Sequence, residues 1–272
     1  MTAMGKPNFY VLEEVVRSYD IGPDQRIKMR PLLQYLQEAA ARHARQAGDT
    51  FDRQIRQGAV WVLSRLHVRM DRYPHWHERL RIETWSVGIK SFSAIRDFRI
   101  EDESGICGAA TTQWVLMNIE KRRPVRIPAS LQEGYGRRPE RELDDPFKPL
   151  PTFENPQHER VFAVRRGDLD PLNHVNYPVA VEWCLESLPA ERVNGLRLAS
   201  VEVAFKKESV YGDELLAQSA EPMAQASSPC VGPDSDQSIL FLHRLVRRSD
   251  DAIAIAARSR WVVDNLRPRD TS

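Results

Sequence analysis

Arg165-Arg-Gly-Asp168-Leu-Asp170-Pro171 echoes Arg17-Ser-Tyr-Asp20-Ile-Gly22-Pro23 from the first half of the chain. Both segments place an Asp three residues after an Arg, then an apolar residue, and both end on Pro. Extended without a gap, the register puts Tyr35 over Trp183. Further on, Trp76-His77-Glu78-Arg79-Leu80 falls over Tyr211-Gly212-Asp213-Glu214-Leu215. The likeness of individual residues is slight. The weight lies in the order of elements, which repeats.

In the first half, a strand at 9–21 leads into a turn. A helix is expected at 31–47, because Leu32, Leu33, Tyr35, Leu36, Ala39, Ala40 and His43 recur at helical spacing. Gly48 then ends it. Strands rich in Val, Ile, Thr, Trp and Phe are expected at 60–70, 80–87, 93–100 and 109–118. The second half repeats this with a strand at 160–166 and a short helix at 179–188, closed by Pro189. Strands follow at 198–205, 214–220, 239–247 and 252–263. One helix followed by a run of strands predicts an α+β unit, a helix packed on an antiparallel sheet. Between the halves, prolines at 124, 128, 139, 146, 149, 151 and 156 alternate with charges, which reads as a linker over the surface. The expected division is 1–119, a linker at 120–157, and 158–272. The segment 222–238, rich in Ser, Pro, Gly and Asp, reads as a loop between strands.

The bulk composition narrows the function. A net charge of +1 argues against a dedicated nucleic-acid binder. No apolar run approaches the roughly 18 residues that span a bilayer. The first residues contain no apolar signal region, so a cytoplasmic protein is expected. Cys107, Cys184 and Cys230 form no CxxC pair and read as ordinary thiols. No metal and no cofactor are expected.

The densest chemistry is Asp168-Leu-Asp170-Pro-Leu-Asn173-His174-Val-Asn176-Tyr177. Carboxylates, a histidine and two amides stand immediately before a helix, whose N-terminus presents backbone N–H groups and positive partial charge. Such a site can polarise a carbonyl and stabilise an oxyanion. A plainer reading is a polar turn with Asn176 as N-cap and Pro178 early in the helix. The residues by themselves leave both open.

This stretch resembles the DxD-x-x-x-HVN loop of the acyl-acyl carrier protein (acyl-ACP) thioesterases, a branch of the hotdog-fold thioesterases. Val181-Glu182-Trp183-Cys-Leu185-Glu186-Ser187 is similar to that family's helix. In the first half Trp61-Val62-Leu63-Ser64-Arg65, Asp71-Arg72-Tyr73-Pro74-His-Trp76, Glu83-Thr84-Trp85 and Arg122-Arg123-Pro124-Val125-Arg126-Ile127-Pro128 resemble family signatures too. The resemblance covers roughly residues 8–265. It implies two tandem hotdog domains, each a long helix wrapped by an antiparallel sheet, paired as an intrachain pseudo-dimer. It also implies hydrolysis of fatty acyl-ACP to free fatty acid and carrier protein.

The family's catalytic set maps onto Asp170, His174 and Glu208, the last within Phe205-Lys-Lys-Glu208-Ser209. Two positions depart from the family pattern. Leu172 stands where the family usually has Asn, leaving Asn173 one place later as the candidate. Ser209 stands where plant members often have Cys, which disfavours a cysteine nucleophile. Glu208 is then expected to be general base on a water, oriented by Asp170 and His174. The repeat register places Gly22, Arg26 and Tyr73 at these positions in the first half, which therefore lacks the set.

Asn176, Lys206 and Lys207 are expected to bind substrate. The acidic carrier protein calls for a basic docking patch. Lys206 and Lys207 are candidates, as are Lys121, Arg122, Arg123, Arg126, Arg137 and Arg138. Leu32, Leu36, Ala39, Ala40, Val62 and Leu66 are candidates for the acyl-chain wall. An integral membrane segment and a nucleic-acid partner are not expected; a homodimer is an open assembly. Rival readings are an acyl-CoA thioesterase, a dehydratase of acyl thioesters, and a non-catalytic acyl-binding sensor.

Overall fold

The computed structural model describes residues 8–222 and 238–264. Most of the loop read at 222–238, and with it Cys230, lies outside the described residues. The chain divides into two compact units, Met1–Pro146 and Phe147–Ser272.

The first unit contains β1 (Phe9–Val15), α1 (Met29–Gln46), α2 (Phe51–Arg56), β2 (Ala59–Met70), β3 (Arg79–Lys90), β4 (Ser93–Asp102), β5 (Gly105–Asn118), β6 (Arg123–Pro124) and α3 (Ala129–Tyr135). Its antiparallel sheet runs β1-β3-β4-β5-β2, and β6 pairs with the far end of β5. Helix α1 forms where the apolar stripe predicts it. Leu32, Leu33, Leu36 and Ala39 are buried and pack against β1 and β3. Each buried leucine contributes roughly 1.5–3 kcal/mol. The helix stops at Gly48, whose φ of 80° is open to glycine at little steric cost. Of the residues proposed for an acyl wall, Leu32, Leu36, Ala39 and Leu66 belong to this core, whereas Val62 is 42% exposed.

The second unit contains β7 (His158–Ala163), α4 (Tyr177–Leu185), α5 (Ala190–Val193), β8 (Leu196–Phe205), β9 (Glu214–Ala220), β10 (Ser238–Arg247) and β11 (Ala252–Val263). Its antiparallel strands run β7-β9-β10-β11-β8, the same path as β1-β3-β4-β5-β2. The repeat extends to fine detail. Trp114 Nε1 donates to Thr112 Oγ1 at 3.0 Å in β5, and Trp261 Nε1 to Ser259 Oγ at 2.9 Å in β11. The helices differ: α1 has 18 residues and α4 only 9, because Pro189 follows so soon. The long helix implied for the second half is therefore a short one.

The stretch read as a surface linker is, up to Pro146, part of the first unit. Ile127, Leu131, Tyr135 and Leu143 are buried. Leu131 and Tyr135 lie one helical turn apart on α3 and share an inward face. The charges that suggested solvation meet partners on the sheet. Arg138 pairs with Glu83 and lies over the Trp85 ring, Arg141 Nε donates to Asp97 Oδ2 at 3.0 Å, and Arg99 Nη2 donates to Glu142 Oε2 at 2.7 Å. A charge run shows no partner until strands that are distant in sequence bring one.

Candidate active site

After β7 the chain makes one 3₁₀ turn, Arg166–Asp168, and enters a tight loop. Asp168 is 2% exposed and builds the loop. Its carboxylate accepts from the backbone N–H of Arg165 at 2.8 Å and from that residue's guanidinium at 3.0 and 2.9 Å. Its carbonyl accepts from Asn176 N at 2.8 Å. Leu169 bridges to Val175, and His174 bridges to Val210.

Asp170 stands inside this frame. Its Oδ1 accepts from Leu172 N at 2.8 Å and His174 N at 3.1 Å, while its own N–H donates to His174 O at 2.8 Å. Asp170 and His174 are therefore held together across the loop. Asn173 forms the corner with φ of 61°, a conformation Asn tolerates better than most residues. It is exposed, and its N–H donates to Asp170 O at 3.0 Å. The His174 ring hydrogen-bonds to no described residue.

Glu208 lies just beyond the end of β8. Val175 N donates to Ser209 O at 2.8 Å, and the partner of His174 is Val210, so Glu208 is two residues from that partner. The loop that carries Asp170 and His174 thus pairs with the segment after β8 that carries Glu208. All three expected catalytic residues are half-buried, so each remains accessible to water. Asn176 occupies the N-cap position of α4, yet its side chain makes no capping bond. Lys206 and Lys207 are exposed next to Glu208, and neither forms an ion pair among the described residues. Cys184 lies inside α4, where burial pushes its thiol up, away from a reactive thiolate.

The first unit builds the same frame from other residues. Gly22 N donates to Arg26 O at 2.8 Å, Gln25 N to Gly22 O at 3.0 Å, Lys28 N to Asp20 O at 2.9 Å, and Ile27 N to Pro74 O at 2.9 Å. Ile21 bridges to Ile27, and Arg26 to His75. Gln25, at φ of 60°, occupies the corner. These bonds match Asp170 with Gly22, Asn173 with Gln25, His174 with Arg26, and Glu208 with Tyr73, the register read from the sequence.

The sequence reading missed Arg247, at the end of β10. Its Nη1 donates to the carbonyl O of Glu208 at 3.0 Å. In sequence it belongs to the charged run Arg247-Arg-Ser-Asp-Asp251, which looks like an ordinary solvated turn. Only the pairing of β10 with β9 and β11 brings it there.

Among the described residues, no helix is long and apolar enough to cross a membrane. Residues 8–135 match the family model of the acyl-ACP thioesterase N-terminal domain, and residues 154–262 that of the C-terminal domain. The chain is 28% identical over 260 residues to oleoyl-acyl carrier protein thioesterase 1, chloroplastic, of Arabidopsis thaliana, covering 87% of this chain and 71% of that protein. It is 28% identical over 263 residues to the chloroplastic palmitoyl-acyl carrier protein thioesterase of Gossypium hirsutum, covering 90% and 62%. Among solved structures, the 12:0-ACP thioesterase from Umbellularia californica superposes with a TM-score of 0.81 at 23% identity, covering 97% of this chain and 95% of that one. An acyl-ACP thioesterase from Bacteroides thetaiotaomicron superposes with a TM-score of 0.79 at 22% identity, covering 93% and 98%. The chain belongs to the acyl-ACP thioesterase family, thioester hydrolases that release fatty acid from acyl carrier protein, and folds as two tandem hotdog domains.

Proposed function

We propose that hydrolysis takes place at the 168–176 loop of the second unit, with Glu208 as general base and Asp170 and His174 orienting the water. The observation that carries this reading is the duplicated frame. The same backbone bonds recur in both units, and only the second places a carboxylate, an imidazole and a second carboxylate on them in half-buried positions. Between the two carboxylates, Asp170 already uses Oδ1 to hold two amides, so its geometry serves the loop. The family resemblance assigns the proton-accepting role to Glu208.

The water oxygen attacks the thioester carbonyl carbon as its proton passes to Glu208. The oxyanion develops facing the N-terminal end of α4, where the helix dipole favours negative charge. Collapse breaks the C–S bond, and the departing sulfur takes a proton back from Glu208. The products are a free fatty acid and the thiol of the carrier protein. Asn173 contributes through the loop corner, and Asn176 lies where the acyl thioester would enter. Lys206 and Lys207 give an acidic carrier protein a cationic landing beside the base. The buried thiols of Cys107 and Cys184 are compatible with a reducing cytoplasm.

Hydrolysis is measured with acyl-ACP and acyl-CoA of several chain lengths, for the parent and Glu208→Gln. The expected outcome is preference for acyl-ACP and a loss of about 10²- to 10⁴-fold in kcat on substitution. Near-normal turnover by Glu208→Gln alongside an inactive Asp170→Asn would transfer the role of base to Asp170.

A further inference from the structure

Arg247 is engaged on three sides. Nη1 donates to the carbonyl O of Glu208 at 3.0 Å. Nε and Nη2 donate to the two carboxylate oxygens of Asp250 at 2.9 and 2.7 Å. Nη1 also lies 3.9 Å from Asp213 Oδ2, and that oxygen accepts from Val210 N at 2.9 Å. Val210 is the bridge partner of His174. One guanidinium therefore reaches the peptide of Glu208 directly, and the segment opposite His174 through Asp213.

The arginine is shielded enough for these bonds to matter. Its side chain is 21% exposed and that of Asp213 17%, whereas Asp250 is exposed, so the contacts to Glu208 and Asp213 are the shielded ones. The guanidinium holds the Asp250 carboxyl down at about 2, which keeps that partner anionic at any working pH. The planar fork suits this task, because a lysine ammonium cannot offer two parallel donors to Asp250 and a third to Glu208.

The first unit has a different device at the matching place. Asp71 N and Arg72 N donate to Cys107 O at 2.9 and 3.3 Å, as Lys206 N and Lys207 N donate to Ala254 O at 2.8 and 3.2 Å. In the strand registers Asp102 faces Gly105, as Arg247 faces Ala252. Asp102 thus stands where the second unit has Arg247, and Arg72 stands where it has Lys207. Arg72 grips Asp102 with Nε at 2.7 Å and Nη2 at 2.5 Å. The cation moves from the segment after the strand to the end of β10, two strands across the sheet from β8. There it is aimed at the peptide of Glu208.

We propose that Arg247 is a positioning residue for the hydrolysis: it fixes the peptide that carries Glu208 and the segment that faces His174, so that the Glu208 carboxylate meets the attacking water in line with the carbonyl. The inference rests on Glu208 being the base. The segment after β8 has left the sheet ladder, and displacing a catalytic group by about 1 Å can cost about 10²-fold in rate.

The test measures kcat and KM on acyl-ACP for Arg247→Ala, Arg247→Lys and Asp250→Asn, and for Arg247→Ala combined with Glu208→Gln. Arg247→Ala should lower kcat by about 10- to 100-fold and change KM by less than about threefold. Arg247→Lys should recover part of the loss. The double variant should be no slower than Glu208→Gln alone, because groups acting as one unit are not additive. Asp102→Ala breaks the matching ion pair in the first unit and serves as the control, lowering thermal stability with kcat unchanged. A folded Arg247→Ala with kcat within about twofold of the parent, beside an inactive Glu208→Gln, overturns the inference while leaving the base assignment intact. A multiplicative loss in the double variant overturns it too. Near-normal turnover by Glu208→Gln overturns the base assignment first, and this inference with it. If Arg247→Ala does not fold, unchanged kcat in both Arg247→Lys and Asp250→Asn is the overturning result.

Discussion

In the first unit Asp24 Oδ1 holds the amide of Arg26 at 3.2 Å, and in the second Asp170 Oδ1 holds the amide of His174 at 3.1 Å. The same bond in the same loop is supplied from two different positions. Gly22 makes the first version workable, because a Cβ at that position would lie only 3.0 Å from Asp24 Oδ1. In the second unit the residue matching Asp24 is the apolar Leu172, and the carboxylate stands where the first unit has Gly22. The replaced residues also differ in access. Arg26 is 4% exposed and Tyr73 9%, whereas His174 and Glu208 are half-buried. A backbone frame can thus be duplicated for architecture while access to water and the identity of three side chains decide where chemistry can occur.

The largest expected effects break this comparison most directly. Asp170→Asn keeps the Oδ1 acceptor and hence the loop, but removes the charge, so kcat should fall by about 10²-fold or more with little change in thermal stability. Arg26→Ala, at the matching first-unit position of His174, should leave kcat of the folded protein within a few-fold of the parent, as steady-state turnover against folded concentration will show. Because Arg26 is buried, its loss should appear in thermal stability instead. A kcat loss for Arg26→Ala comparable to that of Glu208→Gln would mean that the first unit contributes chemistry.

A smaller effect concerns charge. Where the first unit has Asp71 and Arg72, the second has Lys206 and Lys207, so at this matched position only the second unit is doubly cationic. Reversing both lysines to Glu should lower kcat/KM for acyl-ACP by about tenfold at low salt and less at high salt, where the Debye length is a few ångströms. A short model thioester should be much less affected. Equal losses on both substrates at every salt concentration would indicate damage to the site rather than to docking.

The smallest expected effect is on stability against pH, and both units share it. Burial, then the charge of Arg96, lowers His43 to about 3, and burial lowers His243 to about 4. The unfolded chain takes up these protons near pH 6.5 while the folded chain refuses them. The stability they confer is therefore complete above about pH 6.5 and declines as pH falls toward 4. Thermal midpoints measured from pH 7 to pH 4.5 should fall, and replacing His243 with Asn should flatten part of that fall. A slope unchanged by that substitution would show that His243 does not contribute to it.

The sequence by itself determined the repeat, the α1 and α4 helices with the main strands, and the loop proposed to carry the site. Helical spacing in α1, β-branched and aromatic runs in the strands, and the matched Arg-to-Pro segments are local signals, and local signals survive in one dimension. Asp170 and His174 were legible for the same reason, since they stand close together in a single loop. Tertiary structure decided the rest. The segment 120–146 became part of the first unit because Leu131, Tyr135 and the partners of Arg138 and Arg141 meet only when α3 lies near its own sheet. The pairing of the Glu208 segment with the His174 loop depends on the bridge between His174 and Val210, and the contact of Arg247 with that segment depends on the register of β10. These contacts join residues far apart along the chain. Their specificity resides in strand pairing, which composition and periodicity do not encode residue by residue.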